Sequence, residues 1–211
     1  MTKLPPASPR KRLRATTLME IIVSSGIVML LMGSVFALVR YGVNYVHDSQ
    51  ARLDSQQNAL FAMHKIQSEL RESNIKTIRV GTNAVLFADP RDNNDYYRYD
   101  DKSRLYWHRF LLYSVETEGS KNVLVRRSLT LPTPVTVPPL PSDYPQADIA
   151  AMRGNTALPK TVIGKGIETL QVTVGTDSLE VLLISKADSR NSSNSYDDFS
   201  VEARDKVLLV H

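Results

Sequence analysis

The chain has 211 residues, 42% of them hydrophobic, a formal net charge of +4 and no cysteine. With a leader and one membrane-spanning helix set aside, about 170 residues remain, enough for one soluble domain with its own core. The missing cysteines exclude disulfides, thiolate catalysis and cysteine metal sites. Lys3, Arg10, Lys11, Arg12 and Arg14 lie among the first fifteen residues without an acid, so the basic balance is a topology signal and gives no argument for nucleic-acid binding.

The first fifteen residues hold three prolines beside those five charges and predict a segment without structure of its own. Behind them, residues 14–20 read Arg-Ala-Thr-Thr-Leu-Met-Glu, and Ile21 to Val39 follow without a charge. Those nineteen residues span roughly 28 Å as a helix, about the thickness of a bilayer's hydrocarbon core. The basic flank predicts a cytoplasmic N-terminus and a translocated remainder. Gly26, Gly33, Ser24, Ser25 and Ser34 lower the hydropathy but suit close helix–helix packing. Glu20 is the odd residue, because a charge within an apolar span costs roughly 2.5–3.5 kcal/mol on insertion scales. Nothing basic in the segment answers it. A cut between Ala15 and Thr16 would free an amine four residues before Glu20, able to neutralise the Glu20 of a neighbouring helix.

These residues resemble the type III signal of type IV prepilins and of type II secretion pseudopilins. The resemblance implies that a prepilin peptidase cuts after Ala15 and methylates Thr16. It also implies that Glu20 sets the register between subunits in a filament. Two positions depart from the family pattern, Ala15 where Gly is usual and Thr16 where Phe is usual. The competing expectations are an uncleaved signal anchor with Glu20 near the interface, or signal-peptidase cleavage near Ala37.

Beyond the membrane half, apolar residues at Leu53, Leu60, Met63, Ile66 and Leu70 recur at three/four spacing among charged and amide residues. One helix is therefore expected from about Thr17 to about Ser73, with that stripe against a sheet. Short β segments follow: a hairpin of Lys76–Val80 and Ala84–Ala88, a short strand at Tyr96–Tyr99, then longer strands at Arg104–Val115 and Val123–Leu131. Leu131 to Pro145 holds six of the eleven prolines and cannot be a central strand. Two helical turns are expected at Gln146–Arg153. A second β group comprises Ile167–Val174, Leu179–Ser185 and Phe199–Val210, with the polar stretch Asp188–Asp198 read as a mobile loop. The fold class is α+β, a long N-terminal helix on an antiparallel β-sheet, pilin-like. Its divisions are a cleaved basic leader at 1–15, a transmembrane helix at 16–39, an amphipathic continuation at 40–73 and a β-rich periplasmic or extracellular domain at 74–211. Length and pattern resemble the J-type minor subunit in particular.

Little else suggests chemistry. His47, His64, His108 and His211 show no metal-ligand spacing, and no nucleophile triad or glycine-rich phosphate loop appears. Asp89, Asp92 and Asp95, with Asn93, Asn94, Asp100 and Asp101, form the densest oxygen cluster. Some pseudopilins bind calcium, but the EF-hand spacing is absent and such residues are what turns require. Asp188, Asp197 and Asp198 form a weaker cluster. Tyr96, Tyr97, Tyr99, Tyr106, Trp107 and Tyr113, interleaved with Arg98, Arg104 and Arg109, would make a stacking platform for sugars or single strands. They would equally pack between sheet and helix, which is the expectation adopted.

The resulting expectation is a minor pilin or pseudopilin, without cofactor or enzymatic activity, in the bacterial inner membrane. Its implied partners are other pilins, the prepilin peptidase and an inner-membrane assembly platform. The alternative is a single-pass anchored periplasmic binding module or enzyme that does not polymerise.

Overall fold

The computed structural model describes residues 17–175, 178–186 and 200–208. The chain divides after His47 into two units. Helix α1, Leu18–Leu70, begins in the first and ends in the second.

In the first unit every described residue from Thr17 to His47 is exposed. By length and composition this part of α1 is able to cross a membrane. Its serines do not leave free hydroxyls on the surface. Ser24 Oγ donates to the Ile21 carbonyl at 3.0 Å, Ser25 Oγ to Ile22 at 2.9 Å and Ser34 Oγ to Leu30 at 2.9 Å. Such back-bonding satisfies a polar group within the helix itself, as lipid requires.

The second unit is built on the last turns of α1 and two antiparallel sheets. Ser55, Ala59, Ala62, Met63, Ile66 and Leu70 form the buried face of the helix. The stripe expected from sequence is corrected here: Leu53 and Leu60 are 55% and 63% exposed. At 3.6 residues per turn Leu60 lies about 120° around the helix from Ile66, and Leu53 about 140°. The small residues Ala59 and Ala62 occupy the contact face instead, where they let the sheet approach. A side chain at Gly164 would come within 3.5 Å of the Ala62 Cβ.

After α1 comes a 3-10 turn, Ile75–Thr77, capped by Asn74, where the hairpin was expected to have begun. Strands β1 (Arg79–Gly81), β2 (Ala84–Asp89), β3 (Trp107–Glu118), β4 (Lys121–Val135) and β5 (Lys160–Lys165) form one sheet in that order, a meander. Strands β6 (Ile167–Val174), β7 (Ser178–Lys186) and β8 (Ser200–Leu208) form the second. Residues Tyr96–Tyr99 make only isolated bridges, and β5 was not expected at all. β4 runs on through Pro132 and Pro134, but β5 pairs only with Val123–Arg127, so both prolines sit where one side of β4 has no β5 partner.

Both faces of the first sheet are covered. Val85, Phe87, Leu111, Tyr113 and Leu124 face α1 and the second sheet in one core. Leu86, Phe110, Leu112 and Leu131 face a second core with Ala147 and Met152. Met152 belongs to α2, Ile149–Gly154, capped by the Asp148 carboxylate on the Ala150 and Ala151 amides. Burial on both faces is why β2 reads as an unbroken apolar run and does not alternate.

Candidate functional site

The start of α1 builds a local arrangement around the carboxylate noted in the sequence. Thr17 precedes the first helical residue, and the Glu20 amide donates to Thr17 Oγ1 at 3.4 Å. Thr17, Leu18, Met19 and Glu20 thus have the Thr-x-x-Glu spacing of a capping box. Glu20 lies in the first turn, where the unpaired amides of the helix favour a negative charge. The pattern is visible in the sequence as Thr followed three residues later by Glu ahead of an apolar run. Ala15, Thr16, Lys3, Arg10, Lys11, Arg12 and Arg14 lie outside the described residues.

The end of α1 carries a cluster of buried and half-buried charges. Glu69 is fully buried. It accepts from the Tyr113 hydroxyl at 2.7 Å and from Arg126 Nε at 3.0 Å, both on Oε2, while Lys65 Nζ lies 3.0 Å from Oε1. One helical turn on, Glu72 pairs with Arg91 Nε at 3.0 Å. Arg91 also reaches Asp89 at 3.2 Å, and Asp89, fully buried, pairs with Arg109 at 2.8 Å. Helix, β2, β3 and β4 are therefore joined through three arginines and three carboxylates. Burial raises the Glu69 pKa, but the Arg126 charge and the Tyr113, Arg126 and Lys65 hydrogen bonds outweigh it, holding the carboxyl below its ordinary range. Burial, with the Glu69 charge beside it, pushes the Tyr113 phenol well up. Tyr97 is pushed up to about 12 by burial and by its hydrogen bond to Glu72.

Asp89, Asp92 and Asp95, the calcium candidates, spend their oxygens on protein donors. Asp92 Oδ1 accepts from the Asn94 and Tyr96 amides at 2.8 and 3.0 Å, and Oδ2 from Arg98 Nε at 3.0 Å. Asp100 repeats the pattern with the Lys102 and Arg104 amides and Arg104 Nε, all within 2.9 Å. Asp95 pairs with Arg109, as Asp89 does. Backbone hydrogen bonds, together with arginine, lower the pKa of Asp92 and Asp100, and the Arg109 hydrogen bond lowers that of Asp95. Among the described residues no three His, Asp or Glu side chains are grouped to hold a metal ion. The second acidic cluster, Asp188, Asp197 and Asp198, lies outside them.

The aromatic set divides. Trp107 and Tyr113 are buried, in different cores, as packing requires. Tyr96, Tyr97 and Tyr99 are not: they are 65%, 42% and 61% exposed, which corrects the packing expectation for these three. Arg109 is buried in the ion cluster, while Arg98 and Arg104 remain more than half exposed. His47 and His64 are exposed; burial lowers the pKa of His108.

The architecture, a long apolar N-terminal helix on an antiparallel sheet, is consistent with a pilin-like fold. Compared with known protein families, with curated proteins and with solved structures, the chain matches none.

Proposed function

We propose that this chain is a minor pilin or pseudopilin, a structural subunit of a type IV pilus or type II secretion pseudopilus. In this reading it is inserted with its N-terminus in the cytoplasm, cut between Ala15 and Thr16, methylated on Thr16 and assembled through α1. The observation that carries the reading is the single helix Leu18–Leu70, apolar and uncharged from Ile21 to Val39, with Glu20 at its head and a β domain packed on its last turns. Glu20 then neutralises the amine of a neighbouring subunit and selects one axial register. The partners are other pilins, the prepilin peptidase and an inner-membrane assembly platform.

The capping geometry favours a second reading. The Thr-x-x-Glu spacing places Glu20 in the first turn, where its charge suits the helix N-terminus without any neighbour, as expected of an anchored module that never polymerises. Two measurements separate them. Mass spectrometry of the membrane-extracted protein is expected to show loss of residues 1–15 and an added methyl group; an intact Met1 in cells with active prepilin peptidase overturns the filament reading. Glu20→Gln keeps a capping residue, since Gln serves at that position as Glu does. Filament incorporation, measured by crosslinking to partner pilins at matched membrane levels, is expected to fall while insertion and cleavage persist. Equal incorporation leaves Glu20 as a cap alone.

A further inference from the structure

We propose that the cleft between β1 and the proline-rich loop before α2 captures the C-terminus of a partner polypeptide, with an apolar last residue in the cleft and its carboxylate on Arg79. The proposal is independent of filament assembly. The cleft has a volume of about 380 Å³, at the small end of ligand sites. Of its lining residues, Leu86 and Ala147 are buried, and Pro141, Tyr144 and Ile149 come from the loop and from α2. Arg79 stands opposite Leu86 in the β1–β2 register, so both side chains occupy the face of the sheet that carries the second core. Gly81 follows on the same face, and a Cβ there would stand 2.9 Å from Ile149 Cδ1. The missing side chain lets the start of α2 close against β1.

Three observations choose the ligand. First, backbone groups are open here. Only Thr82 and Asn83 separate Gly81 from its partner Ala84, so Gly81 exchanges both ladder bonds with Ala84, and Arg79 does so with Leu86. Val80, between them, turns its N–H and C=O away from β2, and β1 is an edge strand. Its side chain stands with Val85 on the other face, so Val80 borders the cleft with its backbone. One residue in extended conformation can pair there by strand addition. Second, the edge is closed on either side of Val80. The Ile78 amide donates to the Ile75 carbonyl at 3.2 Å, and the Thr82 carbonyl accepts from Arg153 Nη2 at 3.3 Å. A chain therefore enters by its end and does not run through. Third, charge selects which end. Arg79 forms no ion pair among the described residues; its Nη1 donates to the Ile78 carbonyl at 3.3 Å, which leaves Nε and Nη2 for a carboxylate. Asp148, which also lines the cleft, is spent on the Ala150 and Ala151 amides.

The test uses the full chain in detergent micelles and fluorescein-labelled hexapeptides, Gly-Ser-Gly-Ser-Thr-Leu and the same sequence ending in Val or Phe, read by fluorescence polarisation. At least one is expected to bind, and its C-terminal amide to bind about tenfold more weakly. Arg79→Gln should weaken the free-acid peptide about tenfold, the scale of one charge-assisted hydrogen bond, and leave the amide unchanged. Val80→Pro removes the outward N–H and spares the β1–β2 ladder, so it should also weaken binding about tenfold while the thermal midpoint holds. The Arg79→Gln comparison decides the matter even where the proline variant fails to fold. Failure of all three peptides to bind the wild type overturns the proposal. So does an amide that binds as tightly as its acid, unchanged affinity in Arg79→Gln, or binding of decanoate alone.

Discussion

Glu69 is a single buried charge with several partners. Its carboxylate lies among Tyr113, Arg126, Lys65 and Arg91 with no exposure of its own. Removing one member of such a group leaves the others buried and unanswered, so Glu69→Gln should lower stability by about 3 kcal/mol, read by thermal unfolding. The sign of the pH dependence follows from the same contacts. The folded Glu69 pKa lies below its ordinary value of 4.5, so its contribution is fully present above that pH and is lost as pH falls through the folded value. Asp92, Asp95 and Asp100 shift the same way. The unfolding midpoint should therefore hold from neutrality to about pH 5 and drop below pH 4, with a shallower acid limb in Glu69→Gln. A midpoint that rises on acidification would contradict the cluster as drawn.

At the scale of elements, the contrast between Ile66 and Leu60 tests the orientation of α1. Ile66→Ala removes a fully buried side chain and should destabilise by about 2–5 kcal/mol. Leu60→Ala removes a largely exposed one and should stay within about 0.5 kcal/mol, both measured by denaturant unfolding. A large loss at Leu60 would mean that the helix is turned the other way. Sequence made the helix legible because charge vanishes for nineteen residues and then returns with helical spacing. It misled on the buried face, since Leu53 and Leu60 outweigh Ala59 and Ala62 in apolarity although the alanines make the fit. β6 to β8 were legible from alternation; β7 buries Leu179, Val181 and Leu183 in turn. β5 was not, because Lys160–Lys165 is mostly exposed and carries a glycine and two lysines. The ion cluster was invisible for a different reason. Glu69, Asp89, Arg109 and Arg126 are distant in sequence, and only the strand register brings them together.

For the second unit as a whole, the passage from one sheet to the other rests on Gly166. Its φ is +73°, and a Cβ there would stand 2.8 Å from the Lys186 carbonyl oxygen. The same residue accepts from the Lys186 amide and donates to the Asn122 carbonyl, each at 2.8 Å. Gly166→Ala should cost at least about 1–3 kcal/mol in thermal unfolding, through strain and loss of these bonds together. A neutral result would show that the crossing relaxes freely.

The contacts that close this unit are also far apart along the chain. Ser55 meets Ser185 across 130 residues, and Gln67 meets Asp205 across 138. At about 5–20 residues per second, roughly 7–28 s of synthesis separate the helix from the last strand that covers it. The face of Met63, Ile66 and Leu70 leaves the ribosome long before β7 and β8 exist to receive it. The apolar head of α1 is available for insertion throughout that interval, so on the function proposed above membrane targeting precedes folding by order of synthesis alone. A nascent chain arrested before Ser178 should accordingly be membrane-integrated yet protease-sensitive from Asp48 onward.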